Sequence, residues 1–167
     1  MKLFTSLFLF VALLANGLAK ASEENLTVSI KRLTMDTALR IAQAAIKQCR
    51  KEGVQIAVTV IDRGGHPQVM LRDVLAMDIT VPISKQKAHT AMAFNTATSG
   101  LSGRFNKPYM VPKLDGLMIS AGGIPINVGG NIMGGIGVSG APSGKTDEKC
   151  AKAGLKAVID DLEMAGM

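Results

Sequence analysis

Apolar and polar positions along the chain fall into alternating helical and strand-like periods. Ala38, Ile41, Ala42, Ala45, Ile46 and Cys49 are spaced by threes and ones, which lines a single helix face. Thr34 is placed to cap this helix, Asp36 to face its dipole from the first turn, and Gly53 to stop it. Val54–Ile61 is β-rich, Asp62-Arg63-Gly64-Gly65 reads as a turn, and Pro67–Arg72 follows, so a hairpin is expected. Helical character returns from Asp78 to about Thr96, with Thr80 as the cap and Pro82 tolerated in the first turn. Gly100, Gly103, Pro108 and Pro112 break any period between Ser99 and Pro112. Leu117–Ser120, Ile124–Val128 and Ile132–Ser139 then read as three strands, parted by Gly122-Gly123 and Gly129-Gly130-Asn131. A last helix is expected from near Asp147, carrying Cys150, Ala153, Leu155, Ala157, Val158 and Leu162. Sequential strands joined by short turns favour an antiparallel sheet with helices against it, an α+β arrangement.

The N-terminus has a different pattern. Lys2 precedes the apolar run Leu3–Leu14, and Ala19-Lys20-Ala21 has small residues where a signal peptidase reads. Residues 1–21 are therefore expected to be a cleaved secretory signal. Residues 22–167 are expected to be a single domain, periplasmic or secreted. The apolar run is short for a transmembrane span, and no later segment approaches the ~20 residues a span needs.

Charge and composition narrow the partners. The net charge of +6 is mild, and Lys2 and Lys20 leave with the leader. Basic residues are scattered, apart from Lys47, Arg50 and Lys51 at a predicted helix end, where cations complement the dipole. Nucleic-acid binding wants a basic stripe interleaved with aromatics, and the five Phe and one Tyr do not supply one. Two cysteines, Cys49 and Cys150, are too few for a sulfur-ligated metal centre. In an oxidising compartment they pair, or they remain two buried thiols.

Several motifs imitate chemistry. Gly135-Ile136-Gly137-Val138-Ser139-Gly140 spells G-x-G-x-x-G, but it lies along a strand rather than in a turn opening into a helix, so the glycines read as structural. Gly140-Ala-Pro-Ser-Gly144-Lys145-Thr146 has one residue fewer between its glycines than a phosphate-binding P-loop. Ser139 does not sit in a nucleophile elbow. His66 and His89 remain as possible metal or heme-iron ligands through a neutral imidazole nitrogen, beside the plainer readings of a turn and a helix-surface histidine. Tyr109 and the methionines are the other available phenolate or soft ligands, although Met35 and Met164, at helical spacing, read as core filler. His66 with Asp62 is the one adjacent pair suited to general-base work.

Val58-Thr-Val-Ile-Asp62-Arg-Gly64-Gly65-His66, Lys87-Ala88-His89-Thr90-Ala91, Gly122-Gly123-Ile124-Pro125-Ile126 and Gly134-Gly135-Ile136-Gly137-Val138-Ser139-Gly140-Ala141, followed by Asp147 and Cys150-Ala151-Lys152-Ala153-Gly154, resemble the GlcG/HbpS-like heme-binding family over about Leu33 to Leu162. The resemblance implies a profilin-like fold, with a five-stranded antiparallel sheet flanked by helices, assembled as a homo-oligomer. It also implies heme as cofactor, as several members bind it, and a role in heme capture, buffering or iron and redox sensing, while leaving the axial ligand open among the available His66, His89 and Tyr109. No catalytic constellation defines the family, so a binding protein is expected before an enzyme acting on heme or a small oxidised metabolite, or a non-catalytic accessory subunit. Two departures stand out. Where the family reads R-x-D-G-A, this chain has Arg72-Asp73-Val74-Leu75-Ala76, and His89 replaces a common Arg or Tyr. In the implied fold the terminal helices cover one sheet face. If they run antiparallel, Cys49 and Cys150 come within the ~4.4–6.8 Å Cα separation a disulfide needs. Cysteine at the Cys150 position also occurs in cytoplasmic family members, which keeps an unpaired thiol open.

Overall fold

The computed structural model describes residues 25–105 and 115–166. The expected signal, residues 1–21, and Tyr109 lie outside the described residues. Residues 31 onward form one compact unit. Helix α1 spans Met35–Lys51, strands β1 and β2 span Ala57–Asp62 and Pro67–Arg72, and α2 spans Thr80–Ala93. A 3-10 turn at Thr98–Leu101 precedes β3 (Gly123–Val128), β4 (Asn131–Ser139), α3 (Gly144–Lys156) and α4 (Ile159–Gly166). The strands form one antiparallel sheet in the order β2-β1-β4-β3.

Register divides the sheet into two unlike faces, because alternate side chains point to opposite sides. Val60 pairs with Val69 and Ile136, and Ile136 with Ile124, so one transverse row is wholly branched and apolar. Val58 between Leu71 and Val138 makes the next row. These rows pack against Ile41, Ala42, Ala45 and Ile46 of α1 and Ala151 of α3. Gly154 lets α3 lie close on α1, since a Cβ there would stand 2.7 Å from the Ile41 carbonyl oxygen. Cys49 and Cys150 are joined across this helix pair, with Cα atoms 5.5 Å apart.

The opposite face is built from Gly123, Gly137 and Thr59 in one row and Pro125, Gly135 and Ile61 in the next. Helix α2 lies directly on these glycines. A Cβ on Gly137 would stand 2.0 Å from the Ser84 carbonyl oxygen, and one on Gly135 2.5 Å from that of Ala88. The G-x-G spacing on β4 is thus a groove for a helix backbone. The buried side of α2 is correspondingly small or polar: Thr80, Ser84, Lys87, Ala88, Thr90 and Ala91. Thr59 and Ser84 share a hydrogen bond of 2.7 Å across the seam.

The structure corrects four expectations. The described sheet has four strands, not five, because Leu117–Ser120 forms no ladder. Its backbone is satisfied by side chains instead: Met118 N–H donates to Thr90 Oγ1 at 2.8 Å, and the Ser120 carbonyl accepts from Thr98 Oγ1 at 2.7 Å. Thr80 is not a cap but the first residue of α2, where its hydroxyl donates to the Met77 carbonyl. The last helix starts at Gly144, capped by Ser143 Oγ accepting from Thr146 N–H, and breaks at Ala157-Val158 before α4. Met35 and Met164 are both exposed rather than core filler.

Candidate functional site

The β1–β2 turn is organised by Asp62. Its Oδ1 accepts from the backbone N–H groups of Gly64 at 2.8 Å and His66 at 3.0 Å. Burial alone would push this carboxyl up. The two N–H donors and the positive charge at Arg32, 3.5 Å from Oδ2, outweigh that and hold it below the usual aspartate value. His66 Nδ1 stands 3.4 Å from Asp62 Oδ1, too long and poorly directed to count as a hydrogen bond, and the imidazole is exposed. Asp62 is therefore occupied in shaping the turn, and the expected His66–Asp62 pair does not have general-base geometry.

The same turn brings Gly65 onto α2. A Cβ on Gly65 would meet His89 Cδ2 at 3.1 Å, Nε2 at 3.5 Å and Met92 Cε at 3.9 Å. His89 and Met92, three residues apart on one helix side, thus both close on a glycine that turns with φ +83°. His89 is half-buried, and its Nδ1 is buried with no hydrogen-bond partner among the described residues. Its ring lines a cavity of about 350 Å³ with Gly65, Pro82, Lys85, Gln86 and Gly116. His66 does not line it, so the two histidines are neighbours through the turn without converging on one space.

These residues fit one side of a heme. The His89 ring lines a mostly apolar recess and its buried Nδ1 has no partner among the described residues, a thioether is adjacent, and Lys85 offers a cation for a carboxylate. Lys85 and Met92 were not singled out from sequence; the i, i+3 spacing of His89 and Met92 was the available signal. No group of three or more His, Cys, Asp or Glu is placed to hold a metal ion among the described residues.

A second cluster went unremarked as a site in the sequence. Lys87 and Asp147, each almost wholly buried, pair at 2.8 Å. Lys87 Nζ also donates to the Val138 carbonyl at 3.0 Å, and Asp147 Oδ1 accepts from Ala141 N–H at 3.0 Å. Burial pushes the Asp147 carboxyl up, and Lys87 and the Ala141 N–H only partly oppose this. Elsewhere Asp73, one position ahead of the family's acid, is buried and clamped through both oxygens by Arg50.

Comparison with known proteins agrees with this architecture. The crystal structure of HbpS superposes with a TM-score of 0.77 at 34% identity, covering 83% of this chain and 98% of that one. A PduOC–heme complex matches with a TM-score of 0.69 at 25% identity, over 76% of this chain and 95% of the other. Protein GlcG of Escherichia coli K12 is 32% identical over 108 residues, 64% of this chain and 81% of GlcG. None of the described helices is long and apolar enough to cross a membrane. The family model described as "Haem degrading protein HbpS-like" matches residues 33–156, and the chain belongs to this HbpS-like family.

Proposed function

We propose that this protein is an exported heme-binding protein that captures or buffers heme in the periplasm or outside the cell, as a homo-oligomer. The observation that carries the reading is His89. Its imidazole lines a recess on the glycine turn, and one nitrogen lacks any partner among the described residues. Family membership and the solved heme complex of a structural relative support heme as the ligand. His89 would hold the iron through a neutral nitrogen, with Met92 as a soft second donor and Lys85 facing a propionate. Bound heme would supply an iron centre able to change oxidation state. Export rests on the Ala19-Lys20-Ala21 cleavage pattern. Oligomerisation is supported by Val74 and Leu75, adjacent large apolar side chains left 80% and 77% exposed to water.

Hemin titration tests the reading. Wild-type protein is expected to sharpen and shift the Soret band, His89→Ala to lose most of that change, and His66→Ala to lose little. A wild-type spectrum indistinguishable from free hemin rejects heme binding, and an unchanged His89→Ala spectrum transfers the ligand role to Tyr109 or a methionine. The family description favours a second reading, heme degradation. Incubating the same complex with a reductant and analysing released iron and tetrapyrrole products separates binding from turnover.

A further inference from the structure

The Lys87–Asp147 pair lies at the base of a separate cavity of about 310 Å³, on the other flank of α2 from His89. Thr80, Ile83 and Lys87 face this cavity, whereas Pro82, Lys85, Gln86 and His89 face the first one. Three features make it more than a packing gap.

Its polar lining includes donors that are not fully used. Lys87 uses two of its three N–H bonds, on Asp147 and the Val138 carbonyl, and retains one. Ser139 is only 6% exposed, lines the cavity, and its hydroxyl has no hydrogen-bond partner among the described residues. Helix α3 begins at Gly144 on the same wall, adding the positive end of its dipole. Asp147 balances the Lys87 charge, so the pair is neutral overall, and what it leaves for a ligand is the remaining Lys87 N–H beside the Ser139 hydroxyl and the start of α3.

Its walls are apolar: Ile83 and Met118 line it, and Met77 and Ile79 stand at its edge, 66% and 55% exposed. Large apolar side chains left in water beside a recess with convergent donors suit a ligand whose body they cover. At ~30 Å³ per small heavy-atom group, the space holds a molecule of about ten non-hydrogen atoms, far smaller than heme.

We propose that this cavity binds a small monocarboxylate, its apolar body between Met77, Ile83 and Met118 and its carboxylate on the Ser139 hydroxyl and the Lys87 ammonium. The site is independent of the heme reading and uses none of its residues.

Methyl-¹³C-methionine NMR of the purified protein tests it, with benzoate as probe and Met77→Leu and Met118→Leu assigning the two signals. Benzoate is expected to move the Met77 and Met118 methyls saturably, with the same midpoint in His89→Ala. Ser139→Ala, which removes one hydroxyl and leaves the ion pair intact, is expected to weaken binding about tenfold, the usual scale for a hydrogen bond to a charged group. Benzamide, which presents N–H donors to a donor-lined site, is expected to bind at least about tenfold more weakly than benzoate. Absence of saturable shifts at both methyls overturns the site. Equal binding by Ser139→Ala, or equal binding of benzamide and benzoate, overturns the carboxylate assignment.

Discussion

The two faces of the sheet solve the same packing problem in opposite ways. On one, branched side chains of β1, β3 and β4 interlock with α1 and α3, and Cys49–Cys150 ties the helices together. On the other, side chains are nearly removed, and α2 rests backbone to backbone on Gly135 and Gly137. The first face gains its stability from apolar area, which is non-directional and tolerant of small shifts. The second depends on close approach and on a few polar contacts, which are directional and intolerant of them. Both candidate cavities open along α2, where packing is least forgiving.

Breaking the side-chain face at its staple should have the largest effect. The bridge spans 101 residues of sequence, and the chain-entropy estimate for a loop of that size is ~4.7 kcal/mol, an upper figure. Cys49→Ala/Cys150→Ala, or reduction, is expected to lower denaturant stability by about 2–5 kcal/mol. A loss below about 1 kcal/mol, or two free thiols in the denatured, non-reduced protein, rejects the bridge as a stabilising element.

On the glycine face the matching perturbation is Lys87→Met, which leaves Asp147 buried without its cation. Loss of one partner from a buried pair costs about 3–5 kcal/mol, whereas apolar replacement of both is often tolerated. Lys87→Met is therefore expected to destabilise strongly and Lys87→Met/Asp147→Leu to recover most of the loss. A double variant no better than the single would show that the pair's charge is not the cause.

The faces also differ in how much of them the sequence discloses. Helix α1 was legible because Ile41, Ala45 and Cys49 recur at the helical period, and β1 because Val58, Val60 and Ile61 favour strands. Helix α2 is legible as a helix, but not its start or its polar, small-residue buried side, since Ser84 and Lys87 contribute no apolar stripe. Leu117–Ser120 has a composition that suits a strand, but the groups that decide its conformation, Thr90 and Thr98, lie far away in sequence. The histidines were visible as residue types. That His89 meets Gly65 while His66 folds back toward Asp62 depends on the hairpin register against α2, which no local pattern encodes.

Adjacent β4 residues allow the comparison to be sharpened within one dipeptide. Val138→Ala removes two methyl groups from the side-chain face and is expected to cost about 2 kcal/mol. Gly137→Ala adds one carbon to the glycine face, where backbone rather than a flexible side chain blocks it, and is expected to cost about 3 kcal/mol. Chemical denaturation ranks the two. If Gly137→Ala proves the milder change, α2 is not held at the separation described, and the glycine groove loses its rationale.

The smallest expected effect concerns two aspartates that should titrate to opposite sides of the ordinary value of 3.8. Asp147 is raised chiefly by burial, so its contribution to stability is fully present below 3.8 and is lost as pH rises through its higher folded value. At Asp62 burial pushes upward too, but the N–H groups of His66 and Gly64 prevail and lower it. Its contribution is present above 3.8 and is lost as pH falls through its lower folded value. Asp62→Asn keeps an oxygen acceptor for the turn while removing the charge, so it should flatten the acid limb of the stability profile, by less than about 1 kcal/mol given partial solvent screening. Carboxyl ¹³C titration by NMR reads both groups directly. Midpoints on the same side of 3.8 would show that the turn and the buried pair do not differ electrostatically as their geometry requires.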